Sequence, residues 1–246
     1  MDNRIRANVL DCYIDTLDTD GAMAKVAEFI AARKPRHVIT LNAEIVYLAR
    51  KNKELKDIIN QADLVTPDGI GIVWAARKLG WGIKERVTGI DMVNNICSLA
   101  SQKGWGIYLL GAHPTVVEKA AGNLRQHYPQ LKIVGTRDGY FTEKEIPPIL
   151  EDIKKSSPDI LLVALGAPKQ EFFISKYKGE LGIPVSVGVG GSFDVIAEVK
   201  KRAPEFMIKL NLEWFYRLIT EPSRIRRQLV LPKFVMAVLR QGKKRV

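Results

Sequence analysis

From Val38 to Val189 the chain alternates short, unbroken apolar runs with longer amphipathic stretches, and this alternation constrains the fold more than any other feature. Runs such as ILLVAL at 160–165 hold no polar residue that could face water. Strands buried on both faces of a parallel sheet read this way. The apolar runs predict strands at His37–Leu41, Ala62–Val65, Gly106–Leu110, Lys132–Gly135, Asp159–Leu165 and Pro184–Val189. Three-to-four spacing between them predicts helices over Gly21–Ala32, Glu44–Arg50, Gly89–Ser101, Pro114–His127, Glu143–Lys155 and Gln170–Tyr177. Strand–helix alternation of this kind implies an α/β fold, here a Rossmann-like, mostly parallel sheet covered by helices.

Past residue 203 the strand pattern stops. Helices are expected over Pro204–Thr220, Ser223–Leu229 and Lys233–Gln241, with a break at Pro222. Charge changes at the same place. Residues 200–246 hold 13 of the 38 Lys and Arg but three of the 27 Asp and Glu, a balance of +10, whereas the first 199 residues carry +1. The expected organisation is therefore an α/β core over 1–200 and a basic, amphipathic, helical appendage over 201–246. Phe206, Met207, Leu210, Trp214, Phe215 and Leu218 recur along the appendage with basic residues between them. Core packing would also produce such a stripe. The density of Arg and Lys, and a second apolar patch at 229–231 and 234–239, favour helices lying at an anionic membrane surface.

A basic segment seeks a polyanion, whether nucleic acid, anionic membrane or diphosphate. A nucleic-acid binder needs aromatic or helix-turn-helix readout elements; none is evident, and no nucleic-acid partner is expected. No stretch approaches the ~20 apolar residues of a spanning helix, and the first residues lack the apolar core of a secretion signal. The expected location is cytoplasmic, peripheral on the inner face of the plasma membrane. Self-association into a homodimer would cover an exposed apolar appendage.

The two cysteines, Cys12 and Cys97, stand far apart in unrelated contexts and read as buried thiols. With three histidines and no C-x-x-C pair, neither a zinc site nor a disulfide framework is expected. Asp18-Thr19-Asp20 has the form of a metal-binding D-x-D but directly precedes a helical pattern, where capping is the simpler role. No metal and no cofactor are expected. A nicotinamide-dependent oxidoreductase would carry G-x-G-x-x-G after the first strand, and TLNAE at 40–44 is not that.

In open α/β sheets, ligands bind beyond the carboxyl ends of the strands. Here the expected strand ends lead into glycines, carboxylates or amides: Thr40-Leu41-Asn42, Pro67-Asp68-Gly69, Gly166 to Glu171, and Gly188 to Asp194. Asp68, in a tight Pro-Asp-Gly turn, suits a general base, though Asp in a turn also caps helices. Gly190 and Gly191 allow backbone N–H groups to approach a phosphate closely. Asp194 could cap a helix or hold a sugar hydroxyl, and Lys169 and Gln170 could bind a phosphate or sugar. Without a metal, arginine is the natural stabiliser of a diphosphate leaving group. Candidates are Arg86, Arg217, Arg224, Arg226 and Arg227, and Arg224 and Arg227 share a helix face.

Read in order, TLNAE at 40–44, ADLVTPDGIGIV at 62–73, RVTGIDM at 86–92, YLLGA at 108–112, DILLVALGAPKQE at 159–171, VGVGGSFDVIAE at 187–198, KRAP at 201–204 and LEWFYRLITEPSRIRR at 212–227 resemble the WecG/TagA/CpsF family of bacterial glycosyltransferases. The resemblance covers roughly residues 5–230. It implies an inverting, metal-independent transfer from a UDP-sugar donor onto undecaprenyl-diphosphate-linked N-acetylglucosamine. In the branch it is most like, the donor is UDP-N-acetylmannosamine and the product is the linkage disaccharide of wall teichoic acid; other branches use the uronic acid or capsule sugars. It further implies Asp68 as base with Thr40 and Asn42 beside it, Arg86, Gln170 and Asp194 around nucleotide and sugar, and Arg217, Arg224 and Arg227 closing over the diphosphate.

Overall fold

The computed structural model describes residues 5–210, 212–220 and 229–243. It begins with an antiparallel hairpin, β1 (Arg6–Val9) and β2 (Cys12–Asp15), whose turn puts Leu10 and Asp11 at φ of 52° and 65°. Asp15, 1% exposed, ties this hairpin to the main sheet by accepting from Arg6 Nε at 3.0 Å and from the Val65 amide at 2.7 Å.

The alternating part follows as α1 (Thr19–Ala32), β3 (Arg36–Leu41), α2 (Ala43–Ala49), α3 (Lys53–Gln61), β4 (Leu64–Pro67), α4 (Ile70–Lys78), α5 (Gly89–Lys103), β5 (Gly106–Gly111), α6 (Pro114–His127), β6 (Lys132–Arg137), α7 (Ile146–Ser156), β7 (Ile160–Ala164), α8 (Lys169–Leu181), β8 (Val185–Gly188) and α9 (Ser192–Ile196). α10 (Glu205–Lys209), α11 (Glu213–Thr220) and α12 (Val230–Lys243) complete the described chain. Helix starts carry the residues that capping requires. Asp18 caps α1 by accepting from the Gly21 amide, and Thr88 caps α5 by accepting from Asp91. The Asp18-Thr19-Asp20 motif is thus a helix start.

Six strands form one fully parallel sheet in the order β4-β3-β8-β7-β5-β6. Its two faces separate by the two-residue period of the pleat. Val38, Leu64, Ile107, Leu109, Leu162 and Val187 pack with α1, α5, α6 and α9. Their alternates Ile39, Leu41 and Val65 meet α2, α3 and α4, while Tyr108, Leu110, Leu161 and Val163 meet α7 and α8. Each such side chain, fully buried, contributes about 1.5–3 kcal/mol. The fold is α/β, a mostly parallel sheet covered by helices.

The sequence reading finds these six strands, but it misses the hairpin and helices α3 and α4, and the single helix it expects over Pro204–Thr220 is instead α10, ending at Lys209, and α11, starting at Glu213. In the hairpin, burial of β1 alternates and no apolar run marks it. α4 begins at a Gly-Ile-Gly that reads as turn, although Gly69, at φ 93°, is where the chain bends into that helix. At the far end, α12 packs Phe234, Ala237 and Val238 into the core around α2 and α4. Gln241 accepts from the Leu10 amide at 2.8 Å, fastening α12 to the hairpin. Cys12 and Cys97 are buried thiols, and burial pushes each up to about 12.

Candidate active site

Register brings the polar strand ends together. β3 pairs with β4 through Leu41 opposite Pro67, so Asn42 and Asp68 leave the sheet side by side, and the Asp68 amide donates to the Leu41 carbonyl at 2.8 Å. β8 lies on the other flank of β3, with Gly188 level with both Ile39 and Val163. Thr40, 4% exposed, donates from Oγ1 to the Gly188 carbonyl at 2.9 Å. The ends of β4, β3, β8 and β7 therefore form one continuous rim.

The segment before α5 closes this rim. The Val87 amide donates to the Pro67 carbonyl at 2.9 Å, and Thr66 Oγ1 donates to the Val87 carbonyl at 3.4 Å. Arg86 is thereby held one residue from the strand end that presents Asp68. A Cβ at Gly89, the first residue of α5, would lie 3.2 Å from the Val189 carbonyl, 3.3 Å from Ser192 Oγ and 3.5 Å from Thr40 Oγ1. The start of α5 thus packs directly on the ends of β3 and β8, an approach that suits glycine.

The remaining candidates take defined places. Asn42 caps α2, its side-chain oxygen accepting from the Ile45 amide at 3.0 Å. Asp68 is half-buried at the rim. Gln170, 2% exposed, accepts the Gly190 amide on Oε1 at 3.0 Å and donates from Nε2 to Glu171 at 2.9 Å. It is buried behind the rim, bracing the loop that carries Gly190 and Gly191. Lys169 is exposed at the start of α8. Asp194 does not cap α9; its carboxylate pairs with Lys200 at 3.3 Å.

Arg86 meets a partner that the sequence reading did not single out. Its guanidinium donates to Glu213 at 3.1 Å, with the two side chains 16% and 9% exposed. Glu213 opens α11, so this ion pair fastens the basic segment to the cleft. The available signal was an acidic residue in an otherwise basic stretch. Glu171, 0% exposed, was also passed over; burial pushes its carboxyl up to about 7, the Gln170 hydrogen bond opposing. Arg224, Arg226 and Arg227, and the side chain of Arg217, lie outside the described residues.

Among the described residues no three His, Cys, Asp or Glu side chains group as metal ligands would, and no helix is long and apolar enough to cross a membrane. His37, 2% exposed in β3, is held by burial at about 3, with Lys178 lowering it further and Asp63 opposing.

A carboxylate, an amide, a hydroxyl and an arginine gathered at the carboxyl edge of a parallel sheet stand where ligands bind in open α/β folds. The glycosyl transferase WecG/TagA/CpsF family model matches residues 7–246, and the chain belongs to that family. Among its relatives, the N-acetylglucosaminyldiphosphoundecaprenol N-acetyl-beta-D-mannosaminyltransferase of Bacillus spizizenii is 36% identical over 233 residues, covering 95% of this chain and 90% of its own. The protein of that name from Bacillus subtilis is 36% identical over 234 residues, covering 95% and 88%. Its counterpart in Staphylococcus aureus is 32% identical over 244 residues, covering 98% and 95%.

Proposed function

We propose that this chain transfers N-acetylmannosamine from UDP-N-acetylmannosamine to undecaprenyl-diphosphate-linked N-acetylglucosamine, with inversion, making the linkage disaccharide of wall teichoic acid. The observation that carries this reading is Asp68, side by side with Asn42 at the rim and one residue from the carbonyl that holds the Arg86 segment. Full-length similarity to three transferases of that name supports the choice of donor and acceptor.

Asp68 takes the proton from the acceptor hydroxyl as its oxygen attacks the anomeric carbon. The bond from that carbon to the diphosphate oxygen breaks, and UDP leaves with the electron pair. A single displacement needs one base and one stabiliser of the leaving group, and it inverts the anomeric centre. Thr40 and Asn42 flank the base. Arg86, with Arg217, Arg224 and Arg227 closing from the appendage, stabilises the developing diphosphate charge. Lys169, Gly190, Gly191 and Asp194 form the donor side, with Gln170 behind them bracing Gly190.

In this reading, the basic appendage over 201–246 binds the inner face of the plasma membrane and the part before α12 closes the active site where the lipid acceptor resides, while α12 stays packed on the 1–200 core through Phe234, Ala237 and Val238. Exposed Phe206, Leu210, Trp214, Phe215 and Ile219 support that role. Each basic residue near an anionic leaflet adds about 1 kcal/mol. Self-association into a dimer would cover the same apolar side chains away from the membrane.

The test is UDP release from UDP-N-acetylmannosamine in EDTA, with and without a lipid-diphosphate-N-acetylglucosamine analogue, for wild type and Asp68→Ala. Acceptor-dependent release that collapses in the variant is expected. Release from another UDP-sugar alone would move the donor assignment, and silence with every donor would overturn the reading.

A further inference from the structure

Glu171 is the second residue of α8 and has no solvent exposure. One carboxylate oxygen accepts from Gln170 Nε2 at 2.9 Å; the other, Oε2, is buried and makes no hydrogen bond to any described residue. A desolvated carboxyl with an unused oxygen costs stability. Burial shows the same expense, raising the carboxyl well above the ordinary range. A buried acid that does not serve the fold calls for another reason to be there.

That reason lies in its neighbour. A primary amide is nearly symmetric in shape but not in polarity, so its partners decide which end is oxygen. The Gly190 N–H requires the Gln170 oxygen, at 3.0 Å. Glu171 supplies the acceptor that the Nε2 end requires. Without it, the Gly190 N–H alone would hold that orientation, and the Nε2 end would be left buried without an acceptor. Gly190 sits at φ 55° in the turn that leads into α9, the helix that carries Asp194. Gln170 also packs so closely on Gly188 that a Cβ there would fall 2.7 Å from Nε2. The Gly188 carbonyl in turn accepts from Thr40.

We infer that Glu171 is a positioning residue for the donor side of the cleft: it fixes the Gln170 amide, and through it the Gly190 backbone and the turn into α9, which carries Asp194. The inference rests on reading this cleft as the donor site. Glu171 touches no reacting atom; it acts through Gln170.

Two variants separate this role from a structural one. Glu171→Met removes the acceptor and keeps an unbranched chain in the buried site. Glu171→Gln keeps an acceptor oxygen without the charge. Four quantities are compared with wild type: the Gly190 amide in 15N-glycine-labelled protein, the KM of donor and of acceptor, kcat, and the unfolding midpoint. In Glu171→Met the Gly190 amide shifts and loses exchange protection. Donor KM rises, acceptor KM does not, and kcat/KM for the donor falls roughly ten- to a hundredfold, as a small misplacement costs. The unfolding midpoint stays at or above that of wild type, because a desolvated carboxyl has been removed. Glu171→Gln keeps the Gly190 signal and stays near wild-type kinetics. Partial unfolding would instead lower kcat with both KM values intact.

An unchanged Gly190 amide in Glu171→Met would overturn the inference, as would full activity of that variant or losses in both variants that track their midpoints. The Gly190 measurement needs no substrate. A wild type silent toward every UDP-sugar would therefore sink the proposed reaction while the Gly190 amide still decides the part played by Glu171.

Discussion

Replacing Glu213 with glutamine should loosen α11 from the core and release Arg86 from its partner. The two side chains meet at 3.1 Å with 9% and 16% exposed, so the arginine left behind would be a poorly solvated charge without its counter-ion. Breaking a fully buried pair from one side costs about 3–5 kcal/mol, and an exposed pair is worth about 0–1 kcal/mol. Burial of this degree places the cost at about 2–3 kcal/mol. The cost falls on the docking of α11 rather than on the sheet, because Trp214, Phe215 and Ile219 on that helix are exposed. At about 1.36 kcal/mol per factor of ten, the undocked population rises roughly 30- to 150-fold. Hydrogen exchange measured by mass spectrometry reads this directly. Peptides covering 213–220 should exchange faster by that factor, while those from β5 and β7 stay as in wild type. Transfer activity should fall with them. The double variant Arg86→Glu with Glu213→Arg should restore protection of α11 but not activity, since the cation then sits on the wrong side of the pair. Exchange of α11 in Glu213→Gln within threefold of wild type would refute the reasoning.

Acid should unfold the protein partly through His37. Its folded value of about 3 lies below the ordinary 6.5, so its contribution is complete above pH 6.5 and is lost as pH falls toward 3. At pH 5 that loss is about 2 kcal/mol; urea midpoints of His37→Leu should therefore fall less than those of wild type between pH 7 and 5, and parallel curves would count against it. Gly188→Ala places a methyl 2.7 Å from Gln170 Nε2 and 3.1 Å from its Cδ, so the amide must move and transfer should drop at least about tenfold with the fold retained. Gly122→Ala, exposed in α6 with open space around it, is the control: it should keep full activity and gain about 0.5–1 kcal/mol in denaturant unfolding.

Six strands, the parallel sheet and the edge at which polar residues gather were legible in the amino-acid sequence, because each rests on a local signal. An apolar run such as 160–165 can be satisfied only by burial on both faces, and Asp18 and Thr88 announce helix starts through their own backbones. Asp68 was readable in the same way, as a carboxylate in a tight turn after a strand. The order of those strands was not. β8 inserts between β3 and β7, and this sets the Gly188 carbonyl against Thr40, 148 residues away in the chain. Strand order is chosen by which faces bury most together, a sum over the whole molecule that no window of sequence contains. The same holds for hydrogen-bond partners. Gln170 could be named as a polar residue near a strand end, but that it braces Gly190 with Glu171 behind it depends on distances between elements. Glu213 read as one acid in a basic stretch until α11 brought it to Arg86. Sequence alone determined which polar residues stand at the carboxyl edge of the sheet. The tertiary structure decided which of them meet, because burial that excludes water from an ion pair or an amide is created by packing and not by the chain's local order.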